Sequence, residues 1–186
     1  ANAARAAGPD GMLIAIDSQP RMVETAARKA EAAGLTNVTS AAATAGHLPL
    51  KDSSIDRAFL IAVLPEIPDR RQALAELRRV LRPEGVLSIS EEFLDPHYPR
   101  LARTLCWVEE AGFEVVERSG SWWAYTLNFR PRQIDTNSHV GNHCLALGCQ
   151  SAHQLDLLRS GPIRGWINRS FTCQSLSIAP DRENLA

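Results

Sequence analysis

The sequence predicts an open α/β sheet, mostly parallel, that finishes in an antiparallel hairpin. Two observations lead to this fold class. Short apolar runs alternate with segments of helical periodicity from residue 12 to residue 111, and two β-rich runs then follow with only three residues between them. Strands separated by helices pair parallel, whereas strands joined by a short turn pair antiparallel. We therefore expect one α/β domain whose last strands reverse direction.

The first strand and helix are predicted over residues 12–34. The run 12–16, Met-Leu-Ile-Ala-Ile, contains no polar residue, as is typical of a strand covered on both faces. Asp17 ends this strand, and Ser18 is the expected N-cap of a helix with Pro20 in its first turn. Gly34 ends the helix.

The remaining elements repeat this alternation. The segment 57–64 is strongly apolar and predicts a buried strand, and Asp69 is the expected N-cap of a helix that runs to Leu81. Residues 82–85, Arg-Pro-Glu-Gly, predict a turn. The other predicted elements are strands 37–42 and 86–90, helix 99–111, and hairpin strands 113–118 and 122–129.

Composition limits the classes of partner. The chain has 186 residues, of which 45% are apolar, and 20 basic side chains stand against 21 acidic ones. This balance creates no net field that would attract nucleic acid or an anionic membrane, so the expected partner is a small molecule. No run approaches the roughly 20 apolar residues of a membrane span. Four cysteines are few for this length, and a cytoplasmic location is expected.

The organised domain is predicted over residues 1–131. Residues 132–186 lose the apolar periodicity and become rich in Ser, Asn, Gln and His, so we expect an irregular polar tail that is either disordered or out of frame. Its histidines and cysteines match no zinc-ligand spacing, and no metal site is expected.

Four landmarks stand in order along residues 1–130. They are Ala15–Met22 (AIDSQPRM), His47–Asp56 (HLPLKDSSID), Arg79–Gly85 (RVLRPEG) and Ala111–Phe113 (AGF). Together they resemble a class I S-adenosylmethionine-dependent methyltransferase, and they are most similar to small-molecule enzymes of the ubiquinone and menaquinone biosynthesis type. The resemblance implies a Rossmann-like sheet, S-adenosylmethionine as the cofactor and a small-molecule acceptor.

The cofactor residues follow from the resemblance and from the chemistry of strand ends. An acidic side chain at the carboxyl end of a parallel strand can accept hydrogen bonds from both ribose hydroxyls, which is the role expected for Asp17, with Ser18 beside it. Where the family has Gly-Asp-Ala near the adenine, this chain has Ala43, Thr44 and Ala45. Leu64 corresponds to the wall under the methionine moiety, with a core position as the alternative.

Candidate catalytic residues lie in the segment 91–98, which leaves the carboxyl end of a strand. Methyl transfer is an in-line attack, so the protein aligns the acceptor and sometimes removes a proton. His97 and Glu92 are the candidates for proton removal, and Tyr98 is the candidate for an orienting donor. A solvated polar loop is the alternative interpretation.

In this family the first strand lies between the strands that correspond here to 12–16 and 57–64, and the loop after it carries the cofactor glycines. The resemblance implies that the chain begins beyond both, as an N-terminally truncated domain. The two neighbouring strands would then have exposed edges. Self-association through these edges is therefore expected.

Three functions stay open at this point. The first is transfer of a methyl group from S-adenosylmethionine to a small acceptor. The second is a non-catalytic fragment or pseudoenzyme with a defective cofactor site, favoured by Thr44 and by the absent loop. The third is an NAD-type oxidoreductase, which would use the same strand-end Asp17. The sequence leaves open whether this chain is itself an enzyme.

Overall fold

The computed structural model describes residues 2–93 and 98–133 and the backbone of residues 176–180. These residues form four α-helices, a short 3-10 helix and seven strands. In chain order they are α1 (Asn2–Ala6), β1 (Leu13–Asp17), α2 (Pro20–Ala32), β2 (Val38–Ala42), β3 (Ile55–Ile61), the 3-10 helix (Leu64–Glu66), α3 (Arg70–Val80), β4 (Leu81–Glu92), α4 (Leu101–Glu110), β5 (Phe113–Gly120), β6 (Ala124–Pro131) and β7 (Leu176–Pro180).

All seven strands belong to one sheet, in the order β2-β1-β7-β3-β4-β6-β5. β1 pairs parallel with β2, and β3 pairs parallel with β4. β5 and β6 form an antiparallel hairpin in which β6 also pairs with β4. Five of these seven strands point the same way, and β6 and β7 are reversed. The predicted open α/β sheet with a terminal antiparallel hairpin is confirmed.

β7 lies between β1 and β3 and is antiparallel to both. Ile178 of β7 is opposite Ile14 of β1 on one side and Ala58 of β3 on the other. The expectation that the inner edges of β1 and β3 would be exposed is therefore wrong. Their backbone N–H and C=O groups need partners, and an extended segment satisfies them in either direction.

The strand β7 falls within the segment 132–186, for which we expected an irregular tail. Residues 176–180 instead form a central strand. Ser, Ala and Pro make up three of its five positions, so its composition gives no strong strand signal. The other residues of the segment beyond 133 lie outside the described residues, as do the tail histidines and cysteines.

Element boundaries differ from the predictions at β3 and β4. β3 ends at Ile61, three residues earlier than predicted, because Ala62 adopts a left-handed backbone with φ 51° that cannot continue a strand. β4 begins at Leu81, so residues 82–85 are part of the strand rather than a turn before it. A register shift between Ile55 and Arg57 in the β3–β4 ladder absorbs this irregular start.

The core lies between the sheet and the helices that cover it. On α3, Ala73, Leu74, Leu77 and Val80 recur at helical spacing and are all buried. They pack against the apolar face of β4 and β6, whose buried members are Leu87, Ile89, Leu127 and Phe129. Within the described ranges, no helix is both long enough and apolar enough to cross a membrane.

Arg79 fixes the loop before β3 to α3. Its guanidinium donates to the carbonyls of Leu48 and Leu50 and to the carboxylates of Asp52 and Glu76, at distances from 2.6 to 3.2 Å. Glu76 in turn accepts from the backbone N–H of Leu48 at 3.0 Å. These bonds hold the loop through backbone groups, so Arg79 is a structural residue rather than part of a solvated helix face.

Replacing Arg79 by Met should lower the free energy of unfolding by about 2–3 kcal/mol, because it leaves Glu76 and two carbonyls without their charged donor. Urea unfolding followed by circular dichroism measures this change. Arg71→Met is the matched control, since Arg71 lies on the same helix and is exposed. We expect the control to stay within about 0.5 kcal/mol of the parent. Equal losses in the two variants would contradict the role given to Arg79.

The same contacts predict a pH dependence. The hydrogen bonds from Arg79 are the main cause that lowers the pKa of Glu76 from 4.5 to about 2. The unfolded chain therefore takes up this proton first, and the stability is lost as the pH falls from 4.5 towards 2. Glu76→Gln should reduce that loss by up to about 3 kcal/mol in acid unfolding curves. Glu24→Gln, at an exposed position of α2, should leave the curve unchanged.

Candidate functional site

The carboxyl ends of β2, β1, β3 and β4 meet at one edge of the sheet, which we call the carboxyl edge. Thr44 follows β2, Asp17 ends β1, Ala62 follows β3 and Glu92 ends β4. The strand order reverses between β1 and β3, because the chain proceeds outward to β2 on one side and to β4 on the other. Open α/β sheets bind ligands at such a reversal.

Asp17 is half-buried at the end of β1. Its Oδ1 accepts a hydrogen bond from the backbone N–H of Gln19 at 2.8 Å, which fixes the carboxylate at the start of α2. Gln19, rather than Ser18, is the N-cap residue of this helix. A carboxylate has about four lone-pair positions, so one bond to Gln19 leaves capacity to accept two hydroxyl donors.

The other residues predicted on the cofactor side follow the ends of β1 and β2. Thr44 and Ser18 are exposed, and Ala45 is half-buried. The backbone N–H of Ala43 donates to the carbonyl of Asp17 at 3.1 Å, so the chain that carries Thr44 runs directly beside Asp17. The structure therefore brings Asp17, Ser18 and Thr44 to neighbouring positions of the carboxyl edge.

Leu64 does not line this edge. It is 0% exposed and belongs to the main hydrophobic core, which favours the core position that we left open. The residue nearest the strand end is Ala62, which holds a left-handed backbone while its N–H donates to the carbonyl of Ser90 at 2.9 Å. Such backbone strain costs about 1–3 kcal/mol, and it recurs at ligand-binding edges.

The two glutamates at the end of β4 occupy opposite faces. Alternation along the strand places Glu91 with Leu87 and Ile89, and it is 0% exposed, whereas Glu92 is exposed. The sequence interpretation chose Glu92 and overlooked Glu91, although a period of two from Leu87 would have revealed it. His97, the other candidate for proton removal, lies outside the described residues.

Glu91 belongs to a polar cluster with two tyrosines. It is directly opposite Tyr125 on β6, and the Tyr125 hydroxyl bonds to Thr104 Oγ1 at 2.7 Å and to the Pro99 carbonyl at 3.1 Å. Burial raises the pKa of Tyr125, and the charge of Glu91 adds to this effect. The pKa of Tyr98 is raised by the same two causes in the same order. Both tyrosines therefore remain hydrogen-bond donors at neutral pH.

An aromatic cluster covers this polar group at the carboxyl edge. The ring of Phe93 lies 5.6 Å from the rings of both Tyr98 and Trp122 in edge-on geometry. Trp122 is 71% exposed and Phe93 is 56% exposed. The Tyr98 hydroxyl donates to the Trp122 carbonyl, and the Phe93 N–H donates to the Trp123 carbonyl. The second hairpin strand begins at Ala124 rather than at the predicted residue 122, so Trp122 and Trp123 lie in the turn before β6.

Part of this chain is similar in sequence to known methyltransferases. The family model described as a methyltransferase domain matches residues 1–89. A 37.1 kDa uncharacterized protein in transposon TN4556 of Streptomyces fradiae is 45% identical over 101 residues, which cover 53% of this chain and 29% of that protein. Demethylmenaquinone methyltransferase of Geobacillus stearothermophilus is 34% identical over 83 residues, covering 45% of this chain and 36% of the relative.

The fold is also similar to that of solved methyltransferase structures. A crystal structure of a SAM-dependent methyltransferase from Aquifex aeolicus aligns with a TM-score of 0.64 at 23% identity, covering 69% of this chain and 73% of that chain. This likeness shows the fold. The chain spans about a third of the length of the curated relatives it matches. Together with the order of the landmarks, these matches show that residues 1–89 are similar to a methyltransferase domain of the class I S-adenosylmethionine-dependent type.

Proposed function

We propose that the whole protein transfers a methyl group from S-adenosylmethionine to a small-molecule acceptor. The observation that carries the proposal is Asp17, a fixed carboxylate at the strand end beside the reversal of strand order. The family match over residues 1–89 supports the choice of cofactor. The relatives' names support the class of acceptor, because the one from Geobacillus stearothermophilus is a demethylmenaquinone methyltransferase.

The residues at the carboxyl edge fit the nucleoside part of the cofactor. Asp17 would accept from the two ribose hydroxyls, with Ser18 beside it, and Thr44 and Ala45 would lie on the adenine side. A threonine hydroxyl can bond to an adenine amino group but lacks the charge of a carboxylate, so this contact is weaker. Leu64 would support the site from the core without touching the cofactor.

The acceptor side would lie at β4. Three strand spacings separate β1 from β4, a distance of about 14 Å. A cofactor whose nucleoside is held at Asp17 can therefore extend along the edge towards Glu92. The bound cofactor supplies an electrophilic methyl group on a sulfonium. Phe93 and Trp122 would exclude water and orient the acceptor, Glu92 and His97 are the candidates for removing its proton, and Tyr98 holds the Trp122 backbone in place.

A second candidate is a non-catalytic member of the same family. One observation favours it: the position between β1 and β3 is filled by an antiparallel strand. The family's cofactor glycines follow a strand that ends at the carboxyl edge, whereas β7 starts there. Under this alternative the protein would keep the fold and would bind no adenosyl ligand. The NAD-type oxidoreductase has no comparable support.

Asp17→Asn tests the cofactor side. Loss of the charge should weaken binding of S-adenosylhomocysteine by about 10- to 100-fold, because two charge-assisted hydrogen bonds become neutral ones. Isothermal titration calorimetry on the full chain gives this ratio, and Glu24→Gln on the exposed face of α2 is the control. No measurable heat with the parent chain at about 1 mM ligand would instead favour the non-catalytic alternative.

Trp122→Leu tests the aromatic cluster. The variant should bind 2-naphthol, used here as a flat aromatic probe, about 3- to 10-fold more weakly, the amount expected for one lost ring contact. Chemical shifts of the indole N–H groups during titration measure the affinity. The matched control is Trp123→Leu, because Trp123 is also exposed but supplies only its backbone carbonyl to Phe93. Equal weakening in both variants would argue against a site at the cluster.

A further inference from the structure

The sheet is continuous only through β7. β1 pairs with β2 and β7, and β3 pairs with β4 and β7, so the described strands contain no ladder that joins β1 directly to β3. Within the sheet, a two-stranded unit (β1 and β2) and a four-stranded unit (β3 to β6) are therefore joined by five residues. We call the position between β1 and β3 the slot.

The slot binds its occupant through backbone hydrogen bonds, which do not depend on how the occupant is connected to the rest of the chain. β7 meets three residues of β1 (Ile14, Ala15 and Ile16) and four of β3, in antiparallel register on both sides. Its occupant needs an extended backbone with free N–H and C=O groups on both edges. Any copy of the segment 176–180 meets this requirement equally well.

The connection to β7 is long. β6 ends at Pro131 and β7 begins at Leu176, so 44 residues separate the two strands. A chain of that length can reach about 150 Å when extended, which is far beyond one domain. The number of residues between the two strands is therefore large enough for β7 of one copy to reach the slot of a second copy.

We propose that the slot is an interaction surface for a second copy of this chain, and that two copies form a dimer by exchanging residues 176–180. The exchanged strand makes the same ladders with β1 and β3 as it does within one chain. The balance between the two forms is therefore set by concentration rather than by new contacts. In the single chain, β7 already pairs with the inner edges of both β1 and β3. Self-association through these edges therefore requires that β7 of one copy be replaced by β7 of another.

Two single-cysteine chains test the exchange. Ala15 and Ser177 are directly opposite in antiparallel register, where Cα atoms lie about 4.5–5.5 Å apart, within the range of a disulfide. One chain carries Ala15→Cys and the other carries Ser177→Cys, both in a background with Cys106→Ser, Cys144→Ser, Cys149→Ser and Cys173→Ser. They are refolded together, oxidised with glutathione disulfide and analysed by mass spectrometry.

We expect a covalent heterodimer whose yield rises with concentration up to about 1 mM. A chain that carries both Ala15→Cys and Ser177→Cys should instead close an internal disulfide at low concentration, which verifies the register. A mixture of Thr39→Cys and Ser177→Cys should stay unlinked, because Thr39 lies on β2, on the far side of β1. Adding Ile178→Pro to the Ser177→Cys chain should abolish the heterodimer, since proline removes a ladder N–H, whereas Ile178→Ala should retain it.

Two outcomes overturn the proposal. If the doubly substituted chain closes its internal disulfide while the mixed single variants stay monomeric at about 1 mM, the strand does not exchange. If the doubly substituted chain cannot close that disulfide, residues 176–180 do not occupy the slot in this register. Neither outcome depends on cofactor binding, so both are separate from a failure of the proposed methyl transfer.

Discussion

The constraint on which this structure depends is the pairing of β1 and β3 across the slot. Both strands point the same way and both lie inside the sheet, so each needs a hydrogen-bonding partner on its inner edge. β7 provides both partners at once. Without it, the carboxyl edge would not be continuous, and Asp17 and Glu92 would belong to separate sheets. The position of the residues at the ends of β1 and β2 relative to those at the ends of β3 and β4 therefore follows from one short strand.

Ionisable side chains have two different uses in this fold. Around Arg79 and Glu76, ionised groups bind backbone atoms and fix a loop, and the low pKa of Glu76 reflects that structural role. At the end of β4, Glu91 is buried beside two tyrosines whose pKa values are raised, and the Tyr98 ring contacts the exposed ring of Phe93. The second arrangement, and not the first, lies at the edge where open α/β sheets bind their ligands.

The family match and the candidate site concern partly different stretches of the chain. The proposed ribose contact, Asp17, lies at the end of β1, within the residues that match the methyltransferase model. The proposed acceptor side, at the end of β4 and the turn before β6, lies beyond that match. The same fold can therefore keep one cofactor while the acceptor varies, because the two sides are built from different parts of the chain.

The sequence by itself determined the alternation of strands and helices, the terminal hairpin and the position of Asp17, because these depend on local periodicity and on where a strand ends. It could not determine that residues 176–180 fill the slot, since backbone pairing leaves little trace in composition. Nor could it place Trp122 outside β6 or Leu64 in the core. Only the tertiary structure decided these points, because strand pairing and burial depend on contacts between residues far apart in the chain.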